Sequence, residues 1–196
     1  LQAATPDPAT GKPDPEKQKA FAAAHPETKG QADFLKANNP PASYASTPYY
    51  SLHAFRFENA AKQARHVRWQ FVPQDGTRFL DDAALAGTPA DFLEAALQAR
   101  LAQGPIRWDM VVTFAEAGDT LTDPTVLWPA TRKQQRVGTL ELKSASAQAG
   151  GDCEKINFDP MVMSDGVEAS DDPVLRFRSA AYAVSFGRRL SDTPAK

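Results

Sequence analysis

Cysteine is nearly missing from this chain: Cys153 stands alone among 196 residues. One thiol closes no internal disulfide and builds no cysteine-cluster metal site. Histidine is scarce as well, with three residues, His25, His53 and His66. No apolar run approaches the ~20 residues that a bilayer-spanning helix needs. Neither sign of charge prevails, since 22 basic and 24 acidic side chains leave a net charge of −2. That balance argues against nucleic-acid binding and against adsorption to an anionic membrane. The local basic clusters, Arg65-His66-Val67-Arg68 and Arg188-Arg189, are too short to track a phosphate backbone. The start at Leu1 shows neither an initiating methionine nor a signal-like segment. The chain is therefore expected to be a piece of a longer protein, with any export information elsewhere.

What is present divides by periodicity. Residues 1–47 are rich in proline (Pro6, Pro8, Pro13, Pro15, Pro26, Pro40, Pro41) and offer little to bury, so they read as an arm. Two short helices fit within it. One has Asp14 as N-cap, Pro15 at the first helical position and an end near Ala24. The other runs from about Pro26 to Ala37 and stops before Asn38-Asn39-Pro40-Pro41. From residue 49 the period changes to two. His53, Phe55 and Phe57 share one face with Ala54, Arg56 and Glu58 on the other, a turn falls near Asn59–Gln63, and Val67, Trp69 and Phe71 alternate with His66, Arg68 and Gln70. This predicts a β-hairpin with one buried face.

Thr88-Pro89-Ala90-Asp91 has the form of a capping box ahead of a helix with Phe92, Leu93, Ala96, Leu97 and Leu101 at helical spacing. Gly104-Pro105 ends that helix. Strands follow at about Ile106–Ala115 and Arg136–Ser144. Residues 145–172 are irregular, and Pro173 opens a last helix to about Leu190. The class is α+β. Four strands with a helix between the second and third suggest part of an antiparallel barrel, whose open edges call for further strands.

Arg178 and Tyr182 lie four residues apart on the last helix, which sets a guanidinium beside a phenol. A free phenol titrates near pKa ~10, so holding it ionised at neutral pH costs roughly 4 kcal/mol. A fixed neighbouring cation lowers that cost, and a ferric ion lowers it further. Helical packing alone also accounts for such a pair. Likewise, His53 reads as a satisfied core residue, Asp172 before Pro173 as a helix N-cap, and Arg189 as a cation complementing the helix C-terminus.

Several segments, taken in order, carry a resemblance. They are His53-Ala54-Phe55-Arg56-Phe57-Glu58-Asn59, Trp128-Pro129 followed by Val137-Gly138-Thr139-Leu140, and Phe158-Asp159-Pro160. Asp165-Gly166-Val167-Glu168-Ala169-Ser170 then leads to Arg178-Ser179-Ala180-Ala181-Tyr182. The chain resembles the haem catalases, above all the small bacterial catalase-related peroxidases. The resemblance implies the second half of an eight-stranded antiparallel β-barrel with flanking helices. Residues 1–47 would be a helical arm, 48–146 barrel strands five to eight with an inserted helix, and 147–196 a wrapping segment and the haem-proximal helix.

It further implies haem iron as cofactor, with Tyr182 as its axial ligand. Arg178 would stabilise the phenolate, His53 and Asp172 would buttress that arginine, and Arg189 would pair with a haem propionate. No catalytic residue falls in this chain, because the family's distal histidine belongs to the first half. The implied activity is reduction of organic peroxides and hydrogen peroxide in oxidative-stress defence, with an electron donor the sequence does not identify. The alternative is an inactive haem-binding or structural module. A homo-oligomer fits either reading. The resemblance suggests the periplasm, with the cytoplasm as the alternative.

Overall fold

The computed structural model describes residues 4–8, 10–147 and 151–192. Leu1, residues 148–150 of the expected wrapping segment and residues 193–196 lie outside the described residues. The chain divides into two compact units, Leu1–Pro40 with Leu80–Ala86, and Pro41–Phe79 with Gly87–Lys196.

The first unit is helical. Helix α1 (Pro15–Ala24) starts where Asp14 accepts hydrogen bonds from the amides of Glu16 and Lys17. Proline at the first position is preset for the helix and lacks an amide that would go unpaired there. A 3-10 turn (Pro26–Thr28) leads into α2 (Lys29–Ala37). Neither helix buries a residue, so packing contributes little to either. Residues 41–47 group with the second unit, where Ala45 and Ser46 are buried.

The second unit is a single antiparallel sheet flanked by helices. Its strands are β1 (Tyr49–Tyr50), β2 (Phe55–Glu58) and β3 (Ala64–Pro73). Helix α3 (Asp82–Ala86) belongs to the first unit, and α4 (Phe92–Leu101) precedes β4 (Ile106–Phe114) and β5 (Gln134–Leu142). Strand β6 (Val167–Ala169) and helix α5 (Pro173–Asp192) complete the order. The sheet runs β5-β4-β3-β2-β6, with β1 beside β3. Strands β1 and β6 add to the four expected from alternation. Both are too short for a period to register in sequence. The sheet does not close: among the described residues the outer edge of β5 pairs with no strand. The eight-stranded barrel is therefore not what this chain forms by itself.

The β2–β3 hairpin turns on Asn59, whose side-chain oxygen accepts from the amides of Ala61 and Gln63. Phe55 and Phe57 pack on Trp69 at ring-centroid distances of 4.7 and 5.6 Å. A core of Ala45, Ile106 and Trp108, with Phe71, Leu97, Leu101 and Leu142 against it, joins α4 to the sheet. The helix behind the expected capping box at Thr88–Asp91 has Asp91 at its N-cap. The amide of Phe92 donates to the Pro89 carbonyl, and Asp91 makes no side-chain cap bond.

Strands β2 and β6 meet through Gly166. Its carbonyl accepts from the Glu58 amide at 2.8 Å, its φ is +80°, and a Cβ there would sit 2.8 Å from the Glu58 carbonyl oxygen. Only glycine meets both conditions without strain. Gly166→Ala is expected to destabilise the full chain by about 1–3 kcal/mol in urea unfolding. An unchanged midpoint would contradict the close approach.

Candidate functional site

Helix α5 begins at a buried carboxylate. Asp172 is 0% exposed, and its Oδ1 accepts from the amides of Val174 (2.8 Å) and Leu175 (3.3 Å). That is N-cap geometry, which satisfies helix amides that would otherwise lack partners. The other oxygen, Oδ2, lies 2.7 Å from His53 Nδ1. His53 Nε2 is 3.2 Å from Arg178 Nη1, and Arg178 Nη2 donates to the Tyr182 oxygen at 2.6 Å. The guanidinium carbon lies 5.2 Å from the centre of the Tyr182 ring.

These partners assign the tautomer of His53. Arginine offers only donors, so Nε2 must accept, which leaves the proton on Nδ1 to donate to Asp172. The result is a linear chain of bonds: carboxylate, neutral imidazole, guanidinium, phenol oxygen. Its members come from opposite ends of the unit, His53 and Asp172 being 119 residues apart.

A departure from regular sheet geometry delivers His53. Tyr50 pairs with Gln70 and Phe55 with Val67, so residues 51–54 face only Arg68 and Trp69. The extra length bulges, which re-aims side chains. Ser51 secures the bulge, its amide donating to Trp69 O at 2.8 Å and its hydroxyl to His53 O at 2.7 Å. His53 and Ala54 are both buried in consequence. This corrects the alternation expected through His53 and Ala54, which set them on opposite faces of one regular strand. The Ala54 carbonyl then accepts from the Ser170 amide, two residues before Asp172.

Arg189 stands apart from this chain of bonds. It donates to the Ile156 carbonyl at 3.1 Å and lies over the Phe186 ring at 5.4 Å. His66 is half-buried, and Trp128 donates to Thr120 O at 2.8 Å. An open cleft of about 560 Å³ lined by Arg65, His66, Glu116 and Asp119 contains none of the four linked residues.

Sequence reasoning missed two contacts. Asp159 accepts from Ser179 on α5 and from the Met161 amide, clasping the segment before β6 onto the helix. The Ser179 hydroxyl, then that amide, hold the Asp159 carboxyl below its ordinary value. Arg68 is the second; it lies half-buried against the loop 123–128. Its only signal in sequence was a charge within a mostly apolar strand.

Two outcomes are expected. Asp172→Ala removes both the cap and the acceptor for His53, and is expected to cost about 2–4 kcal/mol in urea unfolding. Asp172→Asn, itself a capping residue, should recover part of that loss. Asp159 has a depressed value when folded, so its contribution is present above its unfolded value near 4 and fades as pH falls through the lower folded one. The stability difference between the parent and Asp159→Asn should therefore shrink between pH 5 and about pH 3. A constant difference would exclude an ionised clasp.

A family model described as Catalase matches residues 1–194. The chain is 55% identical over 189 residues to a catalase-related peroxidase of Synechococcus elongatus, covering 96% of this chain and 56% of that protein. It is 42% identical over 164 residues to a catalase-related peroxidase of Mycolicibacterium paratuberculosis, covering 82% and 51%. Among solved structures, catalase A from Saccharomyces cerevisiae matches with TM-score 0.82 at 23% identity, over 96% of this chain and 41% of that one. A bacterial catalase gives TM-score 0.82 at 24% identity, over 96% and 39%. The chain thus spans about half the length of these peroxidase relatives.

Proposed function

The chain belongs to the catalase family, and we propose that it supplies the haem-proximal half of a peroxide-reducing enzyme. Tyr182 would hold the haem iron through its phenol oxygen, and Arg178 would balance the charge of that oxygen. The observation that carries this reading is the 2.6 Å bond from Arg178 to the Tyr182 oxygen, backed by His53 and the buried Asp172.

The residues fit the group. Among the described residues no cluster of three or more His, Cys, Asp or Glu could hold a bare metal ion. A single phenolate oxygen suits a metal whose other positions are filled by a macrocycle, and an anionic oxygen donor favours ferric iron. Haem bound there supplies the redox chemistry with peroxide. This chain's residues do the rest from one side: Tyr182 binds, Arg178 balances its charge, and His53 with Asp172 fixes the orientation of Arg178. Arg189 pairs with a propionate, since an arginine with several donors can serve both the Ile156 carbonyl and a carboxylate.

The distal histidine that moves the peroxide proton lies on the other half of the enzyme. None of His25, His53 and His66 sits in the family's distal motif, so none is assigned that task. The other half also completes the sheet into the eight-stranded barrel, in which β2–β5 are strands five to eight. The unpaired edge of β5, with Val137 and Leu140 exposed, supports this. Organic peroxides and hydrogen peroxide are the substrates, and oxidative-stress defence is the role. The chain by itself, with half of the pocket, behaves as a haem-binding module without turnover.

The test is a haem titration of the intact protein and its Tyr182→Phe variant, followed by visible absorption. The parent is expected to give a ferric spectrum of phenolate-ligated type, and the variant to lose it. Tight binding with an unaltered spectrum in the variant would remove Tyr182 as ligand. An intact protein that takes up no haem would leave a shared fold without shared chemistry.

A further inference from the structure

Two registers meet at the loop that presents His53. Tyr50 pairs with Gln70 on β3, whereas Phe55 pairs with Val67. Residues 51–54 therefore stand opposite only Arg68 and Trp69. Without the bulge, the β1 register would run on and bring His53, not Phe55, opposite Val67. That shift equals the period of a strand, so every side chain of β2 would keep its face. Inward and outward patterning cannot tell the two registers apart. The shift would nonetheless carry His53 about 7 Å along β3. His53 would then stand against the wholly buried Val67, in the place where Phe55 packs on Trp69.

Ser51 belongs to both registers. Its amide donates to the Trp69 carbonyl at 2.8 Å, which continues the pairing of β1. Its hydroxyl donates to the His53 carbonyl at 2.7 Å, across the bulge. A side chain as short as serine reaches a carbonyl two residues on only when the backbone between them leaves the extended line. This bond therefore exists only in the bulged register. It also supplies a donor to a carbonyl that has left the ladder. The next carbonyl is taken from the other side, since Ala54 O accepts from the Ser170 amide at 3.3 Å. The buried Ser170 hydroxyl accepts in turn from the Asp172 amide at 3.4 Å. His53 is thus fixed at its own carbonyl by Ser51, at the following carbonyl by Ser170, and at its ring by Asp172.

We propose that Ser51 is a positioning residue of the Tyr182 site: its hydroxyl selects the bulged register over one shifted by two residues, and so sets His53 between Asp172 and Arg178. Its consequence for haem rests on the reading of Tyr182 as ligand, but its action on His53 does not. A histidine displaced along β3 would leave Asp172 Oδ2 and Arg178 Nη1 without the partner they have at 2.7 and 3.2 Å. The arm of Arg178 that reaches Tyr182 would then lose its backing.

The experiment is NMR of the haem-free full chain carrying 15N-labelled histidine, with His53 assigned among three histidines through a His53→Gln control. The readout is exchange of the His53 Nδ1 proton with water, which requires the bond to Asp172 to open. Ser51→Ala is expected to speed that exchange by roughly three- to tenfold, the factor that one net hydrogen bond is worth. Ser51→Thr, which keeps the hydroxyl, should restore the parental rate. Ser46→Ala removes another buried hydroxyl of the same unit and should leave the rate unchanged. Should Ser51→Ala not fold, Ser51→Cys, of similar size and with only a weak donor, is expected to show the same acceleration. An unchanged rate in the variant that folds, a threonine variant as fast as it, or a Ser46→Ala variant accelerated equally would overturn the proposal and leave the register to the rest of the sheet. Because haem is absent, failure of Tyr182 as ligand would not change this result.

Discussion

The bond between Asp172 and His53 is the constraint on which the rest of the site depends. Asp172 is fully buried, so both of its oxygens need partners within the protein. One oxygen serves the first turn of α5 and the other serves His53. The same carboxylate therefore decides where the helix starts and what stands beside its first turns. Shifting the helix start by one residue would rotate Arg178 and Tyr182 by about 100° around the axis. The phenol would then no longer lie on the line from His53. Capping and site geometry are one requirement here, which is why a residue that reads as an ordinary N-cap can carry functional weight.

Two local irregularities bring the partners together. The bulge at residues 51–54 takes His53 out of regular pairing, and the left-handed Gly166 brings β6 onto the edge of β2. From Ala169 the chain needs only two residues to reach Asp172, and the Ser170 amide on that path is tied to Ala54, next to His53. A hairpin near residue 55 and a helix near residue 175 thus meet without a long connection. The Asp159–Ser179 clasp fastens the preceding segment to the same helix. Each device is short and polar, and each acts on backbone position more than on apolar burial.

That distinction separates what was legible in the sequence from what was not. Features with a period or a punctuating residue could be read: α1 behind Asp14-Pro15, the Asn59 turn, the stop at Gly104-Pro105, and α5 behind Asp172-Pro173. The stripe of Arg178 and Tyr182 on α5 could be read for the same reason, because spacing of four is a property of the helix itself. The two-residue β1 and three-residue β6 could not, since a period of two needs more residues to show. Ala54 was misplaced because alternation assumes an unbroken strand, and nothing in His53-Ala54-Phe55 announces a bulge. The helix behind Thr88-Pro89 starts later than the capping box suggests, with Asp91 at its N-cap. Arg68 escaped notice because its partners, the Asp123 and Val126 carbonyls, lie 55 and 58 residues further along the chain.

The four linked residues hold their geometry among themselves. The four linked residues satisfy one another, so the phenol oxygen is set by Arg178 without help from any group on the far side. The surface around α5 is otherwise unfinished. Val174, Phe177 and Val184 are exposed along the helix, and Phe158 and Val162 are exposed in the segment before β6. An apolar surface beside a fully bonded polar chain is ordered on one side and open on the other. That arrangement suits a site whose charge balance is settled before its cover arrives. On the proposed reading, a flat cofactor and a complementary half would bury apolar area without having to orient Tyr182, because the buried carboxylate behind His53 already sets Arg178.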